Sequence, residues 1–498
     1  MMKRIFPVLL LTLLLAVSCT ENISDPASLS GGSWEDTFNE FWTVMDDSYV
    51  HFSSDSINWD NVYGEYLDKF RNLSREKEED SFTAFRYFKE IIYSLSDYHY
   101  RLLVSDDFGY TLDTRPSILQ KWRANGNDIM DFVDISRDGS WYTVNGGSAR
   151  SYFEDDRDEC WKTAVDGYSE TEDLANAFHT STLYPFILSD GATFTPDDTD
   201  EDTPWNTLLE SFGLKDTTWF YGVTENGVLY IHFSAFVSSS LLDFYRYILA
   251  YDSLTREEQT EYEHTFNEEK KAYDDILVES GRAGDDEYGK KLSFFLIPSE
   301  MIGLLDDAVT EGAVTVGEEE KKIEGIVLDL RCNGGGDAEF LARIMGTFFC
   351  EDKTVGTVYS RMGFSRWDYT PSSEFRLGFF NSALTEDYQG RLAVIVNGLS
   401  VSCSEISVLA SKLLKNSKVF GSVTYGATCP ISSPELYQSG PYRTDKLTVR
   451  TTTFRYTAYD GRSYEGYGIS PDVPVALSTT HDYRYESAVR WAETGETE

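Results

Sequence analysis

The stretch NGLSVSCSEISVLASKLL, Asn397 to Leu414, decides how this chain is read. It follows an apolar run, RLAVIVNG, that reads as a buried strand. Ile406, Leu409, Ala410, Leu413 and Leu414 then recur at helical spacing, which predicts a helix opening near Cys403 or Ser404. Ser402 falls at the mouth of that helix, where free N–H groups and the dipole favour negative charge. Glu405 suits the first turn, and Lys412 and Lys415 the last. Two roles fit such a serine. It can be an ordinary N-cap. It can be a nucleophile if the rest of the chain supplies a base, a group to orient that base, and donors for an oxyanion.

Working outward, KIEGIVLDLR is a second buried strand, CNGGGD a tight glycine loop and AEFLARIMGTFF a helix with Phe340, Ile344 and Phe348 spaced by four. GVLYIHFSAF (227–236), SKVFGSVTYG and LTVRTTTFRYTA add strands. Strand, glycine loop and helix in repetition predict a layered α/β domain. Three consecutive glycines allow φ > 0 and close backbone approach, so their N–H groups could face an oxyanion. GYGISPDVPV is turn chemistry, and Glu465 stands just before it.

In this order, DLRCNGGG (329–336), SVSCSE (400–405), GSVTYG (421–426) and EGYGISPD (465–472) resemble the serine peptidase family that holds the C-terminal processing (tail-specific) peptidases and the tricorn core. That resemblance implies a crotonase/ClpP-like catalytic core with Ser402 as nucleophile. Ser400 and Ser404 would be structural. Backbone N–H groups of Cys403 and of Gly334 or Gly335 would form the oxyanion hole. The processing branch of the family takes its base from a lysine just after T-x-G, but Ala427 stands there. The tricorn-like branch uses a histidine from the N-terminal side and a glutamate near the end. LSDYHYRLL resembles its L-x-D-x-H motif, which implies His99 as base and Glu465 as orienter. Tyr98 replaces the serine that precedes the tricorn histidine. Cys403 fills the slot of a small residue and is not read as the nucleophile.

The outer regions set the domain plan. MMKRIFPVLLLTLLLAVSC has a positive start, a short apolar run and a lipobox-like LAVSC, so 1–19 is read as a lipoprotein signal with Cys19 lipidated. The polar tether 20–32 lacks an aspartate directly after Cys19, which implies an outer-membrane or cell-surface anchor in a Gram-negative bacterium, periplasm-facing or exterior. Residues 33–103 are expected to form an N-terminal helical domain, with Phe38, Phe41, Trp42 and Met45 on one face of the first helix. The middle region 104–220 holds VNGGSARSYFED, a candidate remnant of the PDZ domain many relatives carry, with no recognisable carboxylate-binding loop. The catalytic domain is expected over 221–486, with a polar helical insertion at about 238–320.

Composition narrows the function. Against 43 Lys and Arg stand 84 Asp and Glu, and the net charge of −41 disfavours nucleic acid and anionic lipid. Six cysteines, one of them Cys19, show no metal spacing with histidine and no disulfide framework. The expectation is a serine endopeptidase acting on peptide or unfolded protein, with no metal or cofactor. The alternative is an inactive peptidase-fold surface lipoprotein that binds peptides or small apolar ligands.

Overall fold

The computed structural model describes residues 31–55, 57–138, 140–142, 148–149, 183–185, 219–224, 226–236, 301–316, 319–362, 365–431, 442–476 and 483–497. The signal and Cys19, nearly all of the tether, most of the middle region and the insertion over 238–300 lie outside them.

The chain begins with three helices, α1 (Trp34–Ser48), α2 (Trp59–Arg71) and α3 (Glu78–Ile92). Ser33 and Asp36 form a capping box at the start of α1, satisfying N–H groups that a helix leaves open. Phe38, Phe41 and Met45 are fully buried, as their spacing predicts, and Trp42 is half-buried. Strands β1 (Arg101–Ser105) and β2 (Thr111–Thr114) follow, then α4 (Pro116–Ala124) and the short β3 (Ile135–Arg137), β4 (Ser140–Tyr142) and β5 (Ser148–Ala149). These helices and strands β1 to β4 share one apolar cluster, which also takes in Leu447 and Val449. The domain boundary expected at 103/104 therefore falls inside β1. The alternating half of that strand, Leu102 and Val104, is what the helices bury.

The second half holds β6 (Leu183–Pro185), β7 (Trp219–Thr224), β8 (Val228–Phe233), β9 (Ala313–Val316), β10 (Glu319–Lys322), β11 (Gly325–Asp329), α5 (Ala338–Gly346), β12 (Thr354–Ser360), β13 (Ser373–Arg376) and β14 (Arg391–Val396). It continues with α6 (Cys403–Ser411), β15 (Ser417–Gly421), β16 (Tyr442–Arg443), β17 (Leu447–Arg450), β18 (Phe454–Ala458), β19 (Val473–Pro474) and α7 (Tyr483–Thr494). One seven-stranded sheet runs β19-β15-β14-β11-β8-β7-β6, parallel from β19 to β8 and antiparallel at the β7–β6 edge. Helices α5 and α6 cover one face and α7 the other, as a parallel sheet requires. Residues 301–310 are helical, and Met301, Ile302 and Leu305 join the main core. The insertion expected to reach 320 thus ends earlier, because these apolar side chains belong to the sheet's covering layer. Helix α6 is buried along its whole length rather than on one face.

The other seven-stranded sheet, β16-β17-β1-β2-β3-β4-β5, joins the two ends of the chain. Strand β17 pairs antiparallel with β1, Arg101 opposite Arg450 and Leu102 opposite Val449. This pairing brings the loop after α3 to the parallel sheet. Among the described residues no helix is long and apolar enough to cross a membrane.

Candidate active site

Three loops meet at the C-terminal ends of the parallel strands. The first follows β11. Arg331 grips Asp329 through Nε at 2.9 Å to both oxygens and through Nη2 at 2.5 Å, all fully buried. Burial alone would raise the Asp329 pKa, but Arg331 and Tyr230 hold it below the usual value. The pair anchors the loop rather than serving chemistry. Asn333 then ties it down, donating from Nδ2 to the Phe233 carbonyl.

The second loop joins β14 to α6. Val401 N donates to the Asn333 carbonyl at 2.9 Å, and Ser404 Oγ donates to the same carbonyl at 2.9 Å. Ser400 Oγ donates to the Leu330 carbonyl. Both serines are therefore structural, as expected. Ser402 between them adopts φ 57°, ψ −115°. A non-glycine residue in that region stores roughly 1–3 kcal/mol and persists only where its surroundings enforce it. Gly335 is one enforcing contact. A Cβ there would meet Ser402 Cβ at 2.6 Å, Val401 O at 2.9 Å and Cys403 N at 3.2 Å.

Glu405 holds the turn from below. Its buried carboxylate accepts from Ser402 N, Thr424 Oγ1, Gly426 N and Ala427 N. The sequence marked it only as a first-turn acid. What it does is seat the 424–427 segment against the Ser402 turn. Ala427, where the processing branch has lysine, is fully buried, so no base can come from that position. Lys412 pairs with Asp472 at 2.5 Å, and Lys418 lies over the Trp491 ring. Neither is a base for Ser402.

The third loop carries Asp97, Tyr98 and His99. Glu465 reaches it from the far end of the chain. Its Oε1 accepts from Tyr98 N at 2.8 Å, and its Oε2 accepts from Thr428 N and Cys429 N at 2.7 Å each. Asp97 accepts from His99 N through Oδ1 and from Thr452 N and Oγ1 through Oδ2. One ligand atom each of Asp97, His99 and Glu465 lies within 4.8 Å of the others. Such a trio could hold a metal ion, and all four carboxylate oxygens already accept backbone N–H groups. Burial and Asp97 push Glu465 well above the usual carboxylate range, and burial raises Asp97 to about 6. Two carboxyls so close do not both ionise easily. Burial, then Arg450 and Arg115, lower His99 to about 3, so the imidazole is neutral at pH 7, the form a base needs. Its Nδ1 is buried with no hydrogen-bond partner.

The sequence-expected residues are therefore only partly assembled. His99 and Glu465 come together, with Asp97, which spacing alone did not mark for a role. No hydrogen bond joins Ser402 to His99 among the described residues. The oxyanion role expected of Gly334 and Gly335 needs correction. Gly334 N donates to the Ser234 carbonyl at 3.2 Å and Gly335 N to Asn333 Oδ1 at 2.9 Å, so both amides are engaged. The need to close the glycine loop on itself and on Ser234 takes them. Among the described residues the Cys403 N–H, at the first position of α6, has no acceptor. Cys403 Sγ contacts the Gly336 carbonyl, and burial pushes the thiol up to about 12, which excludes it as a nucleophile at neutral pH. Cys332, in the glycine loop, is disulfide-bonded, while Cys350, Cys403 and Cys429 are free.

The structure is an α/β protein in which a strand-to-helix turn of a parallel sheet presents a strained serine and a separate loop gathers a histidine with two carboxyls. Residues 306–475 match the model of peptidase family S41. It is 29% identical over 154 residues to a CtpA-like serine protease of Staphylococcus haemolyticus, covering 31% of this chain and 28% of that protein. It is 29% identical over 140 residues to the tail-specific protease of Haemophilus influenzae, covering 28% of this chain and 18% of that one. The chain thus spans less than a third of the length of these relatives. Among solved structures, mature CPAF complexed with lactacystin aligns over 93% of this chain and 97% of its own, at 9% identity and a TM-score of 0.44.

Proposed function

We propose that this chain is a serine peptidase that cleaves through Ser402, with His99 as general base and Glu465 as the group that orients it. His99 takes the Ser402 proton as Oγ attacks the scissile carbonyl, then returns it to the leaving amine. Water deacylates the ester by the same relay. The Cys403 N–H stabilises the oxyanion, and Gly335 keeps Ser402 in its strained conformation. The single observation that carries this reading is the gathering of His99 and Glu465, from opposite ends of the chain, beside the segment seated by Glu405 under the Ser402 turn. Substrates are peptides or unfolded proteins. Lipid attachment at Cys19, and with it an outer-membrane or surface location, belongs to the same proposal and is tested by metabolic palmitate labelling of wild type against Cys19→Ala.

The engaged Gly334 and Gly335 amides, and the absence of a Ser402–His99 hydrogen bond among the described residues, favour a second reading. In it the fold is a non-catalytic module that binds peptides or small apolar ligands. Covalent labelling with a fluorophosphonate separates the two. Labelling that is lost in Ser402→Ala supports the peptidase. A folded wild type that never labels and never cleaves an unfolded protein supports the binding module.

A further inference from the structure

The parallel sheet has a second end. Away from the catalytic loops, β11, β14 and β15 begin side by side, with Gly325 opposite Arg391 and Leu392 opposite Ser417. A cavity of about 400 Å³ opens there, between these strand starts and the end of α7, where Trp491 and Gly495 line it. Strand β14 has six residues, so its length sets the cavity ~20 Å from the Ser402 turn. The cleavage reaction has no use for it.

Its lining is basic in a chain of net charge −41. Arg391, Lys415 and Lys418 contribute three cations, and Glu324 the one acid. Glu324 is already paired with Lys322 at 2.6 Å, and it also feels the charge of Arg391. Arg391 donates from Nε to the Ala492 carbonyl at 2.7 Å and from Nη2 to the Glu493 carbonyl. These bonds fix its guanidinium at the end of α7 without using a carboxylate. Lys418 lies over the Trp491 ring, 5.7 Å from its centre, and Lys415 is exposed. Among the described residues none of the three cations forms an ion pair within salt-bridge distance. Between the two lysines in sequence, the Ser417 hydroxyl is buried with no hydrogen-bond partner. A buried polar group left unsatisfied costs stability, and in a folded protein it points to a missing polar partner.

We propose that the cavity lined by Arg391, Lys415, Ser417 and Lys418 binds a phosphate monoester. Three cations against one acid leave about two positive charges, which match the roughly −1.5 to −2 of a phosphate monoester at pH 7. A single carboxylate would neutralise only half of that surplus. Phosphate also offers three acceptor oxygens, enough for donors that arrive from separate strands. The volume of about 400 Å³ falls in the range of organic ligand sites, ~300–1,000 Å³, so the phosphate is carried on an organic group. That group is a soluble polyol or a lipid, and the phosphate chemistry is common to both. The site is independent of the peptidase reading.

Isothermal titration of the purified full-length protein tests this. The probes are glucose 6-phosphate, short-chain dihexanoyl phosphatidic acid, unphosphorylated glucose and citrate. At least one of the two phosphate esters should bind ~10–100-fold tighter than glucose and citrate, the range for hydrogen bonds to charged groups. Which ester binds tighter tells a soluble ligand from a lipid headgroup. Lys415→Gln combined with Lys418→Gln should weaken that ester at least ~10-fold, while Lys415→Arg should keep most of its affinity because the charge remains. The ester should also raise the melting temperature of wild type and not that of the double variant. If the double variant melts below wild type in the absence of ligand, Lys415→Gln alone, at an exposed position, carries the comparison and should weaken the ester at least about threefold. Neither ester binding with a Kd below ~1 mM, citrate binding as tightly as the better ester, or an affinity unchanged by the lysine substitutions would overturn the proposal.

Discussion

Gly335→Ala tests the close approach of the glycine loop to the nucleophile turn. A Cβ at Gly335 would sit 2.6 Å from Ser402 Cβ and 2.9 Å from Val401 O, where ordinary contact begins near 3.4 Å. Either Ser402 or the glycine loop must move by about 1 Å. Neither moves freely. Val401 and Ser404 are hydrogen-bonded to Asn333, and Gly335 itself to Asn333 Oδ1. Gly335 also has φ +87°, which costs an L-residue ~1–2 kcal/mol before any clash. With ~1–3 kcal/mol for overpacking, the variant should lose roughly 2–5 kcal/mol of stability. A nucleophile misplaced by an ångström should cost ~10²-fold in kcat. Gly334→Ala is the internal comparison, because nothing lies within 4 Å of a Cβ there. It should stay within ~0.5 kcal/mol of wild type, as exposed surface changes do. Urea unfolding gives the stabilities, and initial rates on an unfolded protein substrate give kcat. If Gly335→Ala keeps wild-type kcat, or if both variants behave alike, the glycine loop does not position Ser402 and the account of the turn fails.

Ser402→Ala should lower kcat ~10⁴–10⁶-fold, the loss typical of a triad nucleophile, in a steady-state peptide assay. Because burial and the arginines depress the His99 pKa, the base stays neutral to lower pH than a free imidazole. The acid limb of kcat/KM should therefore fall below pH 6.5, and a limb at or above that value would contradict the environment described for His99. The same depression opposes stability in acid. Below pH 6.5 the unfolded chain binds protons at His51 and His99 that the native state refuses until about pH 3, so these two residues contribute a loss of stability as pH falls through that window. His51→Gln should flatten that part of the urea-midpoint profile, and an unchanged profile would show that His51 titrates normally. In the helical unit, Lys89 Nζ donates to Asp134 Oδ1 and to the Phe132 carbonyl, each at 2.9 Å, fully buried. Lys89→Met should cost ~3–5 kcal/mol in urea unfolding by stranding Asp134, and a loss under ~1 kcal/mol would mean that Asp134 takes up a proton without strain.

Much of this molecule was legible in the chain. Helices α1 to α3, the buried strands β8, β11 and β14, and the opening of α6 at Cys403 follow from apolar periodicity and turn residues, which act over a few residues. The four ordered motifs implied Ser402 and Glu465, the separate LSDYHYRLL resemblance implied His99, and Ala427 stands where the processing branch has its lysine. What sequence could not decide was the traffic of single N–H groups. Gly334 and Gly335 look free in a glycine loop, and only the folded chain shows Ser234 and Asn333 accepting from them. Nor could it pair β1 with β17 and so set Arg450 opposite Arg101, two residues from His99. Strand register depends on contacts between segments far apart in the chain, as with Asp97 and Thr452, 355 residues apart, and no local pattern carries that information.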